Sequence, residues 1–153
     1  MSYNFDGKTG TLIVRIILFN CALFVLLGGI GAAFFLQPDE NSSGTGLDYL
    51  EVVTAIFSPI ALVSVIVGKG YLARSMESRS GESKVQVFVG GTVTLMAICE
   101  APGLLWALCA YLASQPYYAI GSLVHALAIL VLWPDGSELE EEFGTMASEG
   151  VEE

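Results

Sequence analysis

Basic residues are scarce in this sequence. Six Lys and Arg stand against 16 Asp and Glu among 153 residues, with a single histidine. At a sequence pI near 4.3, a nucleic-acid backbone has no cationic surface to bind, which excludes nucleic acid as a partner. Cysteine is also rare. Cys21, Cys99 and Cys109 sit inside apolar runs, with neither CxxC nor Cys/His ligand spacing. An odd, scattered set of thiols supplies neither a disulfide framework nor a zinc site, so free buried thiols and no metal are expected. No GxSxG, HExxH or phosphate-binding loop is present, and one histidine gives hydrolytic chemistry almost nothing to work with. The "GGIG" at 28–31 does not follow a strand and is not a dinucleotide fingerprint. Neither enzymatic activity nor a cofactor is expected.

Charge of either sign is thin. Charged residues make up 14% of the chain and hydrophobic residues 54%, whereas a soluble domain carries about 25% charged. That balance points to the lipid bilayer as the main environment. A hydrocarbon core of about 30 Å needs about 20 apolar residues of helix. Four segments qualify, at about 12–36, 50–68, 85–112 and 117–133, the last being the shortest. Polar stretches at 37–48 and 69–84 separate the first three, and the turn "ASQP" at 113–116 joins the last two. The first segment exceeds the 7–15 apolar residues of a signal peptide, so it is expected to be retained.

The few cations orient these segments. Lys8 and Arg15 precede or enter the first, and Lys69, Arg74, Arg79 and Lys84 all lie between the second and third. Lysine and arginine favour the cytoplasmic side. Four crossings with the N-terminus inside place all six there. The expected fold is therefore all-α: a membrane-spanning four-helix bundle at 1–134 with both termini cytoplasmic. The expected localisation is the cell membrane, the inner membrane if the source is bacterial. Half of the 16 acids fall in the tail at 135–153, where Ser137 and Glu140 fit a capping box. A short acidic helix and a disordered tail are both open for that segment.

Membrane helices associate through small residues, because apolar side chains gain little by leaving lipid. Gly28, Gly29 and Gly31 are expected to form such a contact. Pro59 and Pro102 each remove a backbone donor inside a predicted span.

One carboxylate interrupts the third segment. Glu100 lies roughly 18 Å from its Leu112 end and roughly 22 Å from its Val85 end. An ionised group at that depth costs several kcal/mol. Glu100 is expected either to hold its neutral form or to face polar company in the bundle interior. His125, roughly 12 Å from the outer end of the fourth segment, is the expected partner. Ser122 shares a face with His125, and Asn20 is another mid-membrane polar group. Together the four form an expected interior network. Glu51, beside Asp48, is expected to be a solvated acid at a helix start.

The stretch "ICEAPGLLWALCAYL" follows a segment containing arginine. It resembles the carboxylate helix of the subunit c proteolipids of rotary ATP synthases, over about Gly68–Leu112. The resemblance implies that Glu100 carries H⁺ or Na⁺ and that Arg74 is the loop arginine. The chain is also similar to small uncharacterised four-span bacterial membrane proteins. These share a central Glu, an "AYL"-like end and a closing helix ending in an aromatic residue and proline, here Trp133-Pro134. That likeness implies no particular activity. Two functions stand side by side: a non-catalytic multi-pass protein packing with itself or a larger membrane complex, and a proton- or cation-handling subunit using Glu100.

Overall fold

The computed structural model describes residues 7–35, 46–79 and 81–134, and the acidic tail with its capping box lies outside them. The described chain is helical, with four α-helices: α1 Gly7–Phe34, α2 Gly46–Glu77, α3 Gly81–Ala113 and α4 Ala119–Val131. A 3-10 turn, Pro116–Tyr118, leads into α4. Three helices contain stretches long and apolar enough to cross a membrane: Thr9–Phe34, Asp48–Glu77 and Ser83–Ala113. The fourth is shorter than its predecessors. Thirteen α-helical residues rise about 20 Å and the 3-10 turn adds about 6 Å, less than the hydrocarbon thickness of about 30 Å.

The boundaries differ most after the second expected segment. The 69–84 stretch, expected as a loop, is mostly helix, because α2 runs on to Glu77 and α3 starts at Gly81. Nothing in "KGYLARSME" breaks a helix beyond isolated glycine, so helical hydrogen bonding continues past the end of the apolar stretch. Arg79 N–H closes this end on the Met76 carbonyl at 3.0 Å. Pro59 and Pro102 both lie inside uninterrupted helices.

The end of α3 is closed by a Schellman motif. Ser114 N–H reaches the Tyr111 carbonyl and Gln115 N–H the Ala110 carbonyl, both at 3.3 Å. This requires a left-handed residue at the first position past the helix, and Ser114 takes it with φ 52°. Pro116 then starts the 3-10 turn, since its missing N–H costs nothing at a helix start.

Helix α3 is central. It packs against α1, α2 and α4, whereas α1 and α2 make no close backbone approach among the described residues. Of the three long apolar windows, that of α3 is the most enclosed at 44%, against 28% for α1 and 17% for α2. Thus α1, α3 and α2 form a layer, with α4 behind it against α1 and α3. The core, including Leu18, Val25, Cys99 and Ile129, fills the space where α1, α3 and α4 meet. The rest of α2, with Ile56, Ile60, Val63 and Val67 exposed, presents the apolar surface that a bilayer requires.

Gly29 is the contact residue of the glycine triplet. A Cβ placed there would lie 2.6 Å from Ser122 Cβ on α4. A Cβ at Gly28 would sit at ordinary distance from Leu104, and one at Gly31 would meet nothing within 4 Å. The expected three-glycine contact is therefore corrected to one glycine in tight contact and one at its margin. The 100° step per residue turns Gly31 away from α4.

Candidate functional site

The end of the bundle that collects the cations is built around the C-terminus of α4. A helix end leaves carbonyl groups without intrahelical partners. Arg15 donates from Nε and Nη2 to the Pro134 carbonyl at 3.3 and 3.0 Å. Lys69 Nζ donates to the Val131 carbonyl at 3.0 Å. Cations here also oppose the negative end of the helix dipole. Long side chains from α1 and α2 thus meet one carbonyl at the end of α4 and one just past it.

At mid-depth, polar groups stitch the helices together. His125 is fully buried. Its Nδ1 lies 2.9 Å from the Gly121 carbonyl and its Nε2 3.3 Å from Ser58 Oγ on α2. The carbonyl can only accept, so Nδ1 carries the proton, and in the neutral ring Nε2 accepts from the Ser58 hydroxyl. Ser122 Oγ donates to the Gly103 carbonyl on α3 at 2.8 Å. Cys99 Sγ approaches the His125 carbonyl at 3.7 Å. Gly103 makes this crossing possible, because a Cβ there would come within 2.7 Å of Val25 and 3.0 Å of His125.

The expected four-residue network is not assembled. Both ring nitrogens of His125 are engaged by Ser58 and Gly121, and neither by Glu100. Glu100 points toward α1, where Cys21 is its neighbour. The physical reason is helix phase. Cys99 and Gly103 face α4, and Glu100 stands 100° on from Cys99, on the α1 side. Asn20 is exposed rather than interior, and its Nδ2 donates to the Ile16 carbonyl one turn back at 2.7 Å. Of the expected set, His125 and Ser122 share the interior, while Glu100 and Asn20 lie on the outer side of the α1–α3 contact. Arg74, the expected loop arginine, stands in the last turn of α2.

The opposite end carries a second polar junction. Tyr118 donates its hydroxyl to Glu51 Oε1, joining the 3-10 turn to α2. Glu51 is half-buried, which corrects its expectation as a solvated acid. Trp106 stacks on Tyr118 with ring centroids 5.8 Å apart, and Tyr117 packs beside it at 4.1 Å. Thr54 Oγ1 donates to the Leu50 carbonyl at 2.7 Å and contacts Cys109 Sγ at 3.9 Å.

The chain matches no protein-family model, no curated protein and no solved structure. The likeness of its third helix to subunit c therefore rests on its own residues. Sequence reasoning missed Ser58, Cys21 and Tyr118. Ser58 was marked only by its place before Pro59 in an otherwise apolar run, and Tyr118 only by the doubled tyrosine after Pro116. Among the described residues no three His, Cys, Asp or Glu side chains converge on one point. The interior groups donate, accept and hold helices in register.

Proposed function

We propose that this chain is a non-catalytic multi-pass membrane protein that packs with itself or within a larger membrane complex. The observation that carries the reading is His125. The one imidazole of the chain is fully buried and spends both ring nitrogens on structural hydrogen bonds. Ser122 and Thr54 likewise go to backbone carbonyls. Such groups fix helix register in a medium that offers no water. Four crossings with both termini cytoplasmic belong to the same proposal. The contacts of Arg15 and Lys69 with the end of α4 support it, since they gather the cations and the end of the short helix on one side.

The test is the size and composition of the particle when the tagged chain is extracted from its own membrane into nanodiscs. The expected result is an assembly holding more than one chain, and a lone monomer would overturn the reading. Orientation is tested separately, with single cysteines at 40–46 and 76–82 probed in intact cells by an impermeant thiol reagent. Labelling at 40–46 alone is expected, and labelling at 76–82 alone would reverse the topology.

One observation favours a second reading, proton or cation handling. Glu100 sits near the middle of α3, only partly buried, on the side that faces α1. A carbodiimide that labels Glu100 in a pH-dependent manner would support this reading, and an inert Glu100 would remove it.

A further inference from the structure

The outer face of the α1–α3–α2 layer carries polar residues that the interior does not use. On α3 the arc between the α1 and α2 contacts holds Gly90, Thr94, Ala97 and Ala101, all at least partly exposed. Their 4-3-4 spacing keeps them on one side of the helix. On the flanking helices, Asn20 is exposed and Ser64 is partly exposed. Helix phase places both on this face. Asn20 precedes Cys21, the neighbour of Glu100, on the side turned away from the Gly29 contact with α4. Ser64 stands one turn before Gly68, which meets Leu95, and away from the Ser58 and Lys69 edge that reaches α4.

These residues share one depth. The antiparallel register of α2 on α3 is set by Gly68 against Leu95, Gly91 against Leu72, and Thr54 against Cys109. It brings Ser64 level with Cys99 and Glu100. The parallel register of α1 on α3 is set by Gly10 against Val85, Cys21 against Glu100, and Gly103 against Val25. It brings Asn20 level with the turn just before Glu100. A band of carboxyl, carboxamide and hydroxyl thus crosses an otherwise apolar face near mid-membrane.

The hydrogen-bonding capacities are complementary across this band. The Asn20 side chain makes one hydrogen bond among the described residues, from Nδ2 to Ile16, and so keeps a second amide hydrogen. Ser64 donates its proton to the Ile60 carbonyl at 2.8 Å and keeps acceptor lone pairs. Donor and acceptor lie on opposite flanks of α3, too far apart to meet within one chain. Polar groups facing lipid at this depth are unfavourable and are satisfied by another membrane helix.

We infer that this face is the interface between two copies of the chain, with Asn20 of each copy donating to Ser64 of the other. The partner is a second copy because of symmetry. Copies inserted in the same orientation are related by a twofold axis along the membrane normal, so each residue meets residues of its own depth. The same operation brings the α1 flank of one copy against the α2 flank of the other. The small residues of α3 let the two central helices approach at the axis, and Glu100 stands beside the Asn20–Ser64 pair. The inference rests on the packing function proposed above and names its partner.

The full chain is oxidised in its membrane with copper phenanthroline, with Ala101→Cys compared against the unaltered chain and against Leu127→Cys on the exposed side of α4. Ala101→Cys is expected to give a covalent dimer and the other two none. In nanodiscs, Gly90→Leu and Asn20→Leu are each expected to lower the dimer fraction about tenfold. Both positions are exposed in the single chain: a Cβ at Gly90 meets nothing within 4 Å, and Asn20 loses one local bond. A dimer cross-linked through Leu127→Cys, or one indifferent to both leucine variants, overturns this interface and leaves self-packing intact. A complex with a different protein and one copy of this chain overturns the inference alone. A solitary monomer overturns both it and the packing function.

Discussion

Two glycines two residues apart on α1 are expected to respond to the same substitution with opposite sign. At Gly29 a methyl group would stand 2.6 Å from Ser122 Cβ and 2.9 Å from its Oγ. Ordinary carbon contacts lie at about 3.5–4.0 Å, so α1 and α4 must part by about 1 Å or Ser122 must leave its rotamer. Parting the helices by that much forfeits a quarter to a half of each contact's dispersion energy along the seam, and overpacking of this kind costs about 1–3 kcal/mol. Moving Ser122 instead breaks its 2.8 Å bond to the Gly103 carbonyl, a loss of about 1 kcal/mol or more. Alanine in place of a helical glycine returns about 1 kcal/mol. Gly29→Ala is therefore expected to destabilise by up to about 2 kcal/mol net. Gly31→Ala, with open space around it, keeps only the favourable helix term. The assay is reversible unfolding in mixed micelles with increasing SDS, followed by helical circular dichroism. Ser122→Gly removes the opposing Cβ and should recover part of the loss in the Gly29→Ala background. Equal responses at the two positions, or a stabilised Gly29→Ala, would refute the assigned α1–α4 contact.

Ser114→Val puts a β-branched residue at φ 52° and should cost about 1–2 kcal/mol, whereas Ser114→Gly should be tolerated, both read in the same SDS titration. His125→Leu strands the Ser58 hydroxyl and should cost about 1–3 kcal/mol; a double-mutant cycle with Ser58→Ala should show coupling, and purely additive effects would dismiss the bond. Tyr118→Phe and Glu51→Leu cut the same junction, so the double variant should be no worse than the more damaging single one when thermal unfolding is compared. Lys69→Met exposes the Val131 carbonyl at the end of α4 and Arg15→Met the Pro134 carbonyl just past it, and each should loosen this end, seen as faster hydrogen exchange at 129–132 than in the unaltered chain; unchanged exchange in both would show that neither secures the helix end.

Much of the fold is legible in the amino-acid order because the bilayer makes one demand of every span, an unbroken apolar helix. The long runs around Val25, Val63 and Ile98 declare three such helices without any tertiary information, and "ASQP" declares the reversal before α4. The depth of Glu100, Asn20 and His125 is also a sequence property, since rise per residue fixes it. The direction each side chain takes is not. One residue along a helix is a 100° turn, so whether Glu100 meets His125 or Cys21 depends on how α3 is rotated against its neighbours. That rotation follows from where side chains of one helix seat on glycines of another, Ser122 on Gly29, His125 on Gly103 and Leu95 on Gly68. The continuation of α2 to Glu77 is a further case, because hydrophobicity marks where lipid ends and not where helical hydrogen bonding ends. The sequence by itself determined which stretches form long apolar helices and how far along each one its polar residues stand. Only the tertiary structure decided which of them face each other, because small residues at a handful of crossings set the rotation of every helix at once.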